Sequence, residues 1–412
     1  MGDISSDGNA IAVLAAEYPM PTHTFIRREI EALRKLGADV HVFSTREPAS
    51  GKLARGWGEQ ARSQCTYLVP FDVRSLWAMP LTLLRAPIYE LVSQAAREGK
   101  ASLRDAIICL PAAARLAAEC KRRKIAHIHA HFASRSALVA ALAARMSGLP
   151  YSITHHGALK DFGGNQTIKW SQAKFAMVIT QELLDELEAA LAPTRLRASV
   201  VQPMGVDSEW FQRKTSYKPR QVGETLRVFS CGRLTRIKGH DCLIEAVALR
   251  VGAGDDIQLE IAGGGSSDQD RERLRLLELS EKLGIKDRVS FLGAISEEDV
   301  RAKLQASHVF ALASRYEAFG VAYIEAMSCG VPTIGTRVGG VPEIIIDGEC
   351  GFLVPPEAPA DLAQAIGKIG DNPVMAELLS SAGRQRVMTR FPIDASARKL
   401  LAYSFPDIKT KQ

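Results

Sequence analysis

Residues 309–335 read VFALASRYEAFGVAYIEAMSCGVPTIG: a short apolar run, a glycine-bearing loop, a helical stretch and a second apolar run. Residues 309–311 and 332–335 have the length and composition of buried strands. Between them, residues 321–327 predict a helix that begins next to Gly320. A strand, a helix and a further strand in this order form the repeating unit of a parallel α/β sheet.

The same alternation continues on both sides of this stretch. Other predicted strands lie at 10–16, 39–43, 125–132, 151–154, 226–231, 258–262 and 289–292. Predicted helices lie between them, among them 25–33, 135–146, 268–283 and 297–305. Two successive alternating halves predict two Rossmann-like, doubly wound lobes that face each other across a cleft.

The length of the chain also indicates two domains. At 412 residues, it exceeds what one hydrophobic core usually supports. We place an N-terminal domain at residues 1–205 and a C-terminal domain at residues 206–390. The polar residues 213–224 are the best candidate for a linker.

Composition and charge narrow the class of protein. The seven cysteines form no CxxC pair, which favours reduced thiols over a disulfide frame or a zinc site. No signal peptide or membrane-spanning window is predicted, so we expect a cytoplasmic protein. Residues 1–200 hold 25 Lys and Arg against 18 Asp and Glu, whereas the remainder holds 27 against 28. The basic first half could attract an anionic membrane surface or a phosphorylated acceptor, and sparse aromatics argue against nucleic acid.

Amphipathic helices in the basic region favour the membrane alternative. Residues 74–124 predict mainly helix, and the apolar side carries Trp77, Leu81, Leu84, Ile88 and Leu91. Such a stripe is more often part of the core, but the local positive charge makes docking on the inner face of the plasma membrane a second interpretation.

Two glutamates flank the helix start in residues 314–332. Glu317 lies just before the predicted helix and Glu325 about five residues inside it. The unpaired amides of Phe319, Gly320 and Val321 favour a bound phosphate. A nucleoside diphosphate sugar matches this spacing: the diphosphate over the amides, hexose hydroxyls on Glu317 and the ribose diol on Glu325.

A second strand-to-helix turn, residues 230–239, supplies positive charge. Gly232 is followed by Arg233, and Lys238 comes five residues later. Both cations can neutralise a departing diphosphate. These two fixed cations can do the work that a metal ion does in other sites, and we therefore expect neither a metal ion nor a cofactor in the site.

These ordered motifs resemble glycosyltransferase family four. They comprise Gly232-Arg233 with Lys238-Gly239, the Glu317 and Glu325 pair, and the segments 339–345 and 348–355. The resemblance covers roughly residues 200–390 and implies a retaining enzyme of the GT-B fold. It also implies that a C-terminal helix, within residues 391–412, packs back on the first lobe.

The resemblance extends more loosely into the first lobe. Residues 128–132 and 150–157 are similar to the segment that holds the family's central histidine, which makes His156 the candidate. The turn at residues 18–26 is similar to that of bacterial exopolysaccharide and colanic-acid-type transferases, which implies substrate contacts for Thr22 and Thr24. His23 stands where those turns typically have glutamate.

The resemblance implies transfer of a hexose from a UDP- or GDP-sugar to a saccharide or lipid-linked acceptor in polysaccharide or exopolysaccharide biosynthesis. His156, Glu317, Arg233 and Lys238 would act at the reacting centre. Gly264, in a tight turn, and Leu292, in a segment whose backbone would read the base, would lie beside the nucleotide.

Two other enzyme classes stay open at this point. His127, His129 and His131 alternate along a predicted strand and share one face, which would suit a metal-dependent hydrolase. A sugar-nucleotide epimerase would share the GT-B fold, and the fold alone does not distinguish it from a transferase.

Overall fold

The computed structural model describes residues 9–49, 53–54, 56–69, 88–192, 196–264 and 267–406. The chain divides into two compact units, one formed by Met1–Pro203 with Ile393–Gln412 and the other by Met204–Pro392. Of the predicted amphipathic stripe, Trp77, Leu81, Leu84 and the Ile88 side chain lie outside the described residues. None of the described helices is long and apolar enough to cross a membrane.

The first unit contains a parallel sheet of seven described strands. Their order in the sheet is β3-β2-β1-β4-β5-β6-β7. The strands are β1 Ala10–Glu17, β2 Asp39–Arg46, β3 Cys65–Val69, β4 His127–His131, β5 Tyr151–His155, β6 Phe175–Val178 and β7 Ser199–Val201. The neighbouring strands β1 and β4 pair from Ile11 with His127 to Leu14 with Ala130.

Helices connect these strands and cover the sheet. They are α1 Thr24–Lys35, α2 Gly58–Ser63, α3 Ile88–Glu98, α4 Lys100–Arg122, α5 Arg135–Ser147, α6 Gln166–Trp170, α7 Gln181–Ala190 and, in the C-terminal segment, α15 Ala395–Ser404. The helix α5 has a fully buried alanine-rich face, because small side chains let it lie close to the sheet. Its end is set by Gly148, which takes the left-handed conformation typical of a helix C-terminus.

The C-terminal helix α15 packs in the first unit. Ala397, Leu400 and Leu401 belong to the same apolar cluster as Ile26, Ile30 and Leu33 of α1. The Ser396 hydroxyl donates to the Glu29 carboxylate, and Lys174 Nζ donates to the Ser404 carbonyl at 2.9 Å.

The second unit contains a parallel sheet of six described strands, in the order β10-β9-β8-β11-β12-β13. The strands are β8 Leu226–Cys231, β9 Ile257–Ala262, β10 Val289–Gly293, β11 Val309–Ala311, β12 Thr333–Thr336 and β13 Phe352–Val354. The helices are α8 His240–Gly252, α9 Ser267–Lys282, α10 Glu297–Ala306, α11 Val321–Ser328, α12 Val341–Ile344, α13 Pro359–Gly370 and α14 Pro373–Arg390. The strand order reverses direction between β8 and β11, and ligands of doubly wound folds bind at the carboxyl ends of strands at such a reversal.

The sequence prediction of two doubly wound parallel α/β lobes is thus confirmed. The prediction of a linker at residues 213–224 is wrong. The Arg213 guanidinium donates to the carbonyls of Leu304, Gln305, Ser307 and Cys329, and Tyr217 donates to the His308 carbonyl at 2.8 Å. These contacts attach the segment firmly to the second unit.

Candidate functional site

The carboxyl ends of β8 and β11 hold the charged groups of the second unit. The turn after β8 carries Gly232, Arg233 and Lys238, and the loop after β11 carries Glu317. Because β8 and β11 pair side by side, Val309 with Val228 and Phe310 with Phe229, the two turns are neighbours. The sheet topology therefore brings together residues that are about eighty positions apart in sequence.

Lys238 and Glu317 form an ion pair between these two turns. Lys238 Nζ contacts Glu317 Oε2, and their side chains are only 13% and 12% exposed. The Ser314 hydroxyl donates to the same carboxylate oxygen at 3.4 Å. The pair thus places a cation and a carboxylate in contact, largely shielded from solvent, where the two turns meet.

Close backbone packing fixes the positions of both side chains. Gly239, with φ 64°, lies so near the Ala313 carbonyl that a Cβ at this position would overlap it. Gly339, with φ 50°, lies in the same way against the Glu317 carbonyl. The amide of Gly340 also donates to the Glu317 carbonyl at 3.0 Å. Only glycine permits these approaches, so the glycines hold Lys238 and Glu317 in place.

Arg315 joins the two turns a second time. Its amide donates to the Ile237 carbonyl at 2.7 Å, and its guanidinium donates to the Arg236 carbonyl at 2.6 Å. The guanidinium also contacts Asp241 Oδ1 at 2.9 Å, at the start of α8. The pair of turns is therefore one rigid element, in which Arg315 has a structural role.

The charges of Glu325 and Lys238 both affect the pKa of Cys231, the last residue of β8. Burial and, to a smaller extent, the Glu325 charge raise the pKa of the Cys231 thiol to about 12, and the Lys238 charge partly offsets them. Glu325 thus lies near the same strand end as Lys238. Arg233 is exposed on the turn that carries Lys238, and no described side chain pairs with it.

The other residues predicted for the second unit surround this strand edge. A Cβ at Gly232 would contact the Lys238 side chain at 3.7 Å, and one at Gly264 would contact the Ala294 amide at 3.5 Å. Leu292 lies in β10, next to that glycine turn. Gly320 precedes Val321, the first residue of α11, whose first amides have no acceptor within the helix. The Phe319 ring is buried against Phe391 at 5.9 Å between centroids, so Phe319 can offer a ligand only its backbone.

The predicted residues of the first unit lie near the ends of β4 and β5. His156 follows β5, and its Nε2 lies 3.0 Å from His131 Nδ1. Its ring also packs on Phe25 and Phe132, with centroids 4.7 and 4.8 Å apart. Burial lowers the pKa of His156 well below its ordinary value, and nearby histidines lower it further, so His156 is neutral.

The turn before α1 supplies the other predicted contacts. Thr22 is exposed, and Thr24 is the first residue of α1. His23 packs on Phe132, with centroids 5.6 Å apart, and its burial lowers its pKa to about 4.

The sequence interpretation missed Glu29, which is buried beside these histidines. Its Oε1 lies 3.3 Å from His131 Nε2 and 4.0 Å from His129 Nε2. Burial alone would raise the pKa of Glu29, but His131, His129 and Ser396 together lower it to about 2. One signal was available: Glu29 occupies the face of α1 that carries Ile26 and Leu33, where a carboxylate requires a buried partner.

The alternating histidines share one face of β4, as predicted, but their ring nitrogens are largely occupied. His127 Nε2 and His129 Nδ1 lie 2.7 and 2.8 Å from the Ser152 hydroxyl, and His129 Nε2 lies 2.9 Å from the Thr154 hydroxyl. Glu29, His129 and His131 are still close enough to hold a metal ion. A metal there would have to displace the Thr154 contact.

Comparison with known proteins decides the family. The family described as "Glycosyl transferase 4-like domain" matches residues 22–210, and the family described as "Glycosyl transferases group 1" matches residues 212–386. The chain belongs to the glycosyltransferases. The prediction from the ordered motifs is confirmed, and the two matches account for both structural units.

Relatives and solved structures agree with this assignment. The chain is 33% identical over 258 residues to a phosphatidylinositol N-acetylglucosaminyltransferase component from Arabidopsis thaliana, covering 60% of this chain and 55% of the relative. It is 34% identical over 198 residues to a Corynebacterium jeikeium D-inositol 3-phosphate glycosyltransferase, covering 46% of each. The chain thus spans about half the length of these two relatives.

The fold agrees over nearly the whole chain with a solved structure. Anabaena HepE, solved in complex with UDP and glucose, matches with a TM-score of 0.73 at 18% identity, covering 97% of this chain and 100% of that one. This similarity identifies the fold as GT-B.

Proposed function

We propose that this glycosyltransferase moves a hexose from a UDP- or GDP-sugar to a saccharide or lipid-linked acceptor, with retention at the anomeric carbon. The observation that carries the proposal is the Lys238–Glu317 pair at the carboxyl ends of β8 and β11. A cation and a carboxylate held there match the charged centre and the hydroxylated end of an activated sugar.

Each charged residue of the second unit has a role in this proposal. Lys238 and Arg233 neutralise the diphosphate as it leaves, and Lys238 exchanges its carboxylate partner for a phosphate oxygen. Glu317, released from Lys238, accepts hydrogen bonds from hexose hydroxyls, and Glu325 accepts those of the ribose diol. The first amides of α11 and the backbone at Gly232 complete the diphosphate site, with Gly264 and Leu292 beside the base.

A front-face route fits these residues better than a double displacement. A double displacement needs two carboxyl groups about 5 Å apart, as in retaining glycosidases, of which one is the nucleophile and the other the general acid. Glu317 is already occupied as partner of Lys238 and binder of hydroxyls. In the proposed route the leaving phosphate oxygen helps to remove the acceptor proton, and two fixed cations take the place of a metal ion. Turnover should therefore persist in excess EDTA.

We assign acceptor binding to the first unit, through His156, Thr22 and Thr24. Exposed apolar residues support a lipid-linked or surface saccharide as acceptor: Ile107 and Ile108 of α4 are 51% and 52% exposed, near the exposed Arg104. The basic run 121–124 supports this less, because Arg122 and Arg123 pair with Glu119. The names of the two relatives contain phosphatidylinositol and inositol 3-phosphate, and these names are consistent with a phosphorylated or lipid acceptor.

The test is a binding screen followed by a transfer assay. Native mass spectrometry of the purified chain against UDP- and GDP-hexoses identifies the donor, and the donor is then incubated with and without saccharide acceptors. The proposal expects nucleotide release that depends on the acceptor and a product whose anomeric configuration matches the donor by NMR. Acceptor-independent release with an epimerised sugar would instead identify an epimerase.

A further inference from the structure

Three polar side chains, of which Glu29 and His131 are buried, form a continuous line through the first unit. Glu29 of α1 lies 3.3 Å from His131 at the end of β4, and His131 lies 3.0 Å from His156, which follows β5. We call Glu29, His131 and His156 the relay. Glu29 lies in a helix and His131 in a strand, and the ring of His156, directly after β5, packs on Phe25 and Phe132.

The C-terminal helix α15 contacts the relay at Glu29. Glu29 Oε2 accepts the Ser396 hydroxyl of α15, which leaves Oε1 for His131. Glu29 Oε1 and His131 Nε2 are both buried and have no hydrogen-bond partner other than each other among the described residues. The pairing of these two atoms is therefore the one way in which either polar group is compensated.

The chemistry of the three groups fixes the positions of their protons. An ionised carboxylate only accepts hydrogen bonds, so His131 must carry its proton on Nε2. We take His131 in its singly protonated form, in which Nδ1 is an acceptor and His156 Nε2 must donate to it. A doubly protonated His131 would reverse this hydrogen bond and place the proton of His156 on Nδ1. The remaining nitrogen of His156, Nδ1, keeps its lone pair. This Nδ1 is buried and has no partner among the described residues.

We infer that Glu29 and His131 are positioning residues that hold His156 as its Nε2–H tautomer, so that His156 Nδ1 accepts a hydrogen bond from a hydroxyl group of a bound sugar. The inference rests on the proposed function for the assignment of His156 to the substrate site. It explains why a carboxylate and a second histidine are buried at this point, where apolar side chains would otherwise pack more favourably.

A neighbouring histidine shows that burial alone does not produce this arrangement. His129 lies on the same strand and is equally buried, but hydroxyl groups of Ser152 and Thr154 occupy both its ring nitrogens. Hydroxyl groups can donate or accept, so they leave the tautomer of His129 undetermined. The carboxylate of Glu29 imposes a direction on the relay that a hydroxyl group would not.

The first test needs no substrate. Long-range ¹⁵N–¹H NMR of the full chain labelled on histidine, with His156→Gln for assignment, reports which ring nitrogen of His156 carries the proton. The expected result is a protonated Nε2 and an unprotonated Nδ1. A proton on Nδ1, alone or together with Nε2, would overturn the inference, whatever the outcome for the proposed function.

The second test separates an acceptor role of Glu29 from a charge or metal role. In Glu29→Gln, the amide oxygen can still accept from His131 while the amide group donates to Ser396, so kcat/KM should stay within about threefold of the wild type. Glu29→Leu removes the acceptor and should lower kcat/KM about 10- to 100-fold, the usual range for losing a partner that orients a site histidine. Glu31→Gln, on the exposed face of the same helix, is the matched control.

Each outcome of these tests is decisive. Equal loss in Glu29→Gln and Glu29→Leu, with stoichiometric zinc in the wild type, would replace the relay by a metal site of Glu29, His129 and His131. Equal and unchanged activity in both variants would remove any role in positioning. If Glu29→Leu does not fold, the tautomer measured in Glu29→Gln decides, because the inference requires it to be the same as in the wild type. Absence of transferase activity in the wild type would contradict the proposed function, but it would not affect the tautomer result.

Discussion

The first unit buries its titratable groups inside the packed sheet, whereas the second unit carries them on turns at the sheet edge. Both units have the same order for their first six strands, and in both the polar groups collect near the carboxyl ends of the central strands. Glu29 and His131 are fixed by the core, while Lys238 and Glu317 are fixed by glycine-packed turns. The same architecture thus supports a polar arrangement fixed by the core in one unit and charges held on turns in the other.

This difference predicts that acid destabilises the first unit before the second. Burial lowers the pKa of His127 to about 3 and those of His23 and His155 to about 4, and it lowers those of His129 and His156 as well. Below pH 6.5 the unfolded chain binds more protons than the folded chain, so stability falls as pH falls toward 4. Each histidine contributes about 1.4 kcal/mol per pH unit in this window.

Hydrogen exchange measured between pH 7 and pH 4, corrected for intrinsic rates, tests this expectation. The second unit has two described histidines with lowered pKa values, His240 and His308, both about 4, and should lose less protection. His127→Gln should reduce the pH slope of the first unit. Equal loss of protection in both units would show that the buried histidines do not govern acid stability.

The role proposed for the charges of the second unit predicts a large effect on turnover. Lys238→Ala should lower kcat about 100- to 1000-fold with a smaller change in KM, because the charge that Lys238 meets grows in the transition state. The matched control is Lys286→Ala, which breaks the exposed pair with Glu281. Steady-state kinetics with the donor from the binding screen gives both parameters, and an intact kcat would refute the role of Lys238.

Arg213 extends the comparison to a charge that has only a structural role. Arg213→Ala should lower the free energy of unfolding by about 2–4 kcal/mol, because it leaves four carbonyl groups without their charged donor. Lys214→Ala, at the exposed neighbouring position, should change it by less than about 0.5 kcal/mol. Urea denaturation measures both, and similar values for the two variants would restore the linker interpretation.

The sequence allowed the alternation of strands and helices to be predicted because apolar runs and glycine turns are local signals. The helix at Val321–Ser328 and the strand at Leu226–Cys231 were found in this way. The charged residues of the second unit could be selected because each lies in an ordered motif next to a strand end. Their pairing was not predicted, since only the adjacency of β8 and β11 brings Lys238 to Glu317.

Contacts between distant segments could not be predicted. Glu29 looks like one more polar residue of an amphipathic helix, and its partner His131 lies about a hundred residues away. Residues 213–224 have a linker's composition, but a guanidinium that satisfies four carbonyl groups is visible only in three dimensions. In both cases a side chain compensates buried polar groups of another segment, which no local pattern records.

Glu325 should show a smaller effect than Lys238, because in the proposed site it binds the ribose, a part of the donor that does not react. Glu325→Ala should raise KM for the donor about tenfold and leave kcat nearly unchanged, since the loss is the same in the ground state and the transition state. Glu298→Ala, in the first turn of α10, is a control on an unrelated helix. A fall in kcat with unchanged KM would place Glu325 at the reacting centre instead.

The most direct measurement is a crystal structure of the chain with its bound nucleotide sugar. We expect the diphosphate within hydrogen-bond distance of Lys238 Nζ, the hexose hydroxyls on Glu317 and the ribose hydroxyls on Glu325. A nucleotide bound away from the ends of β8 and β11, with Lys238 still paired to Glu317 and touching no phosphate, would contradict the account.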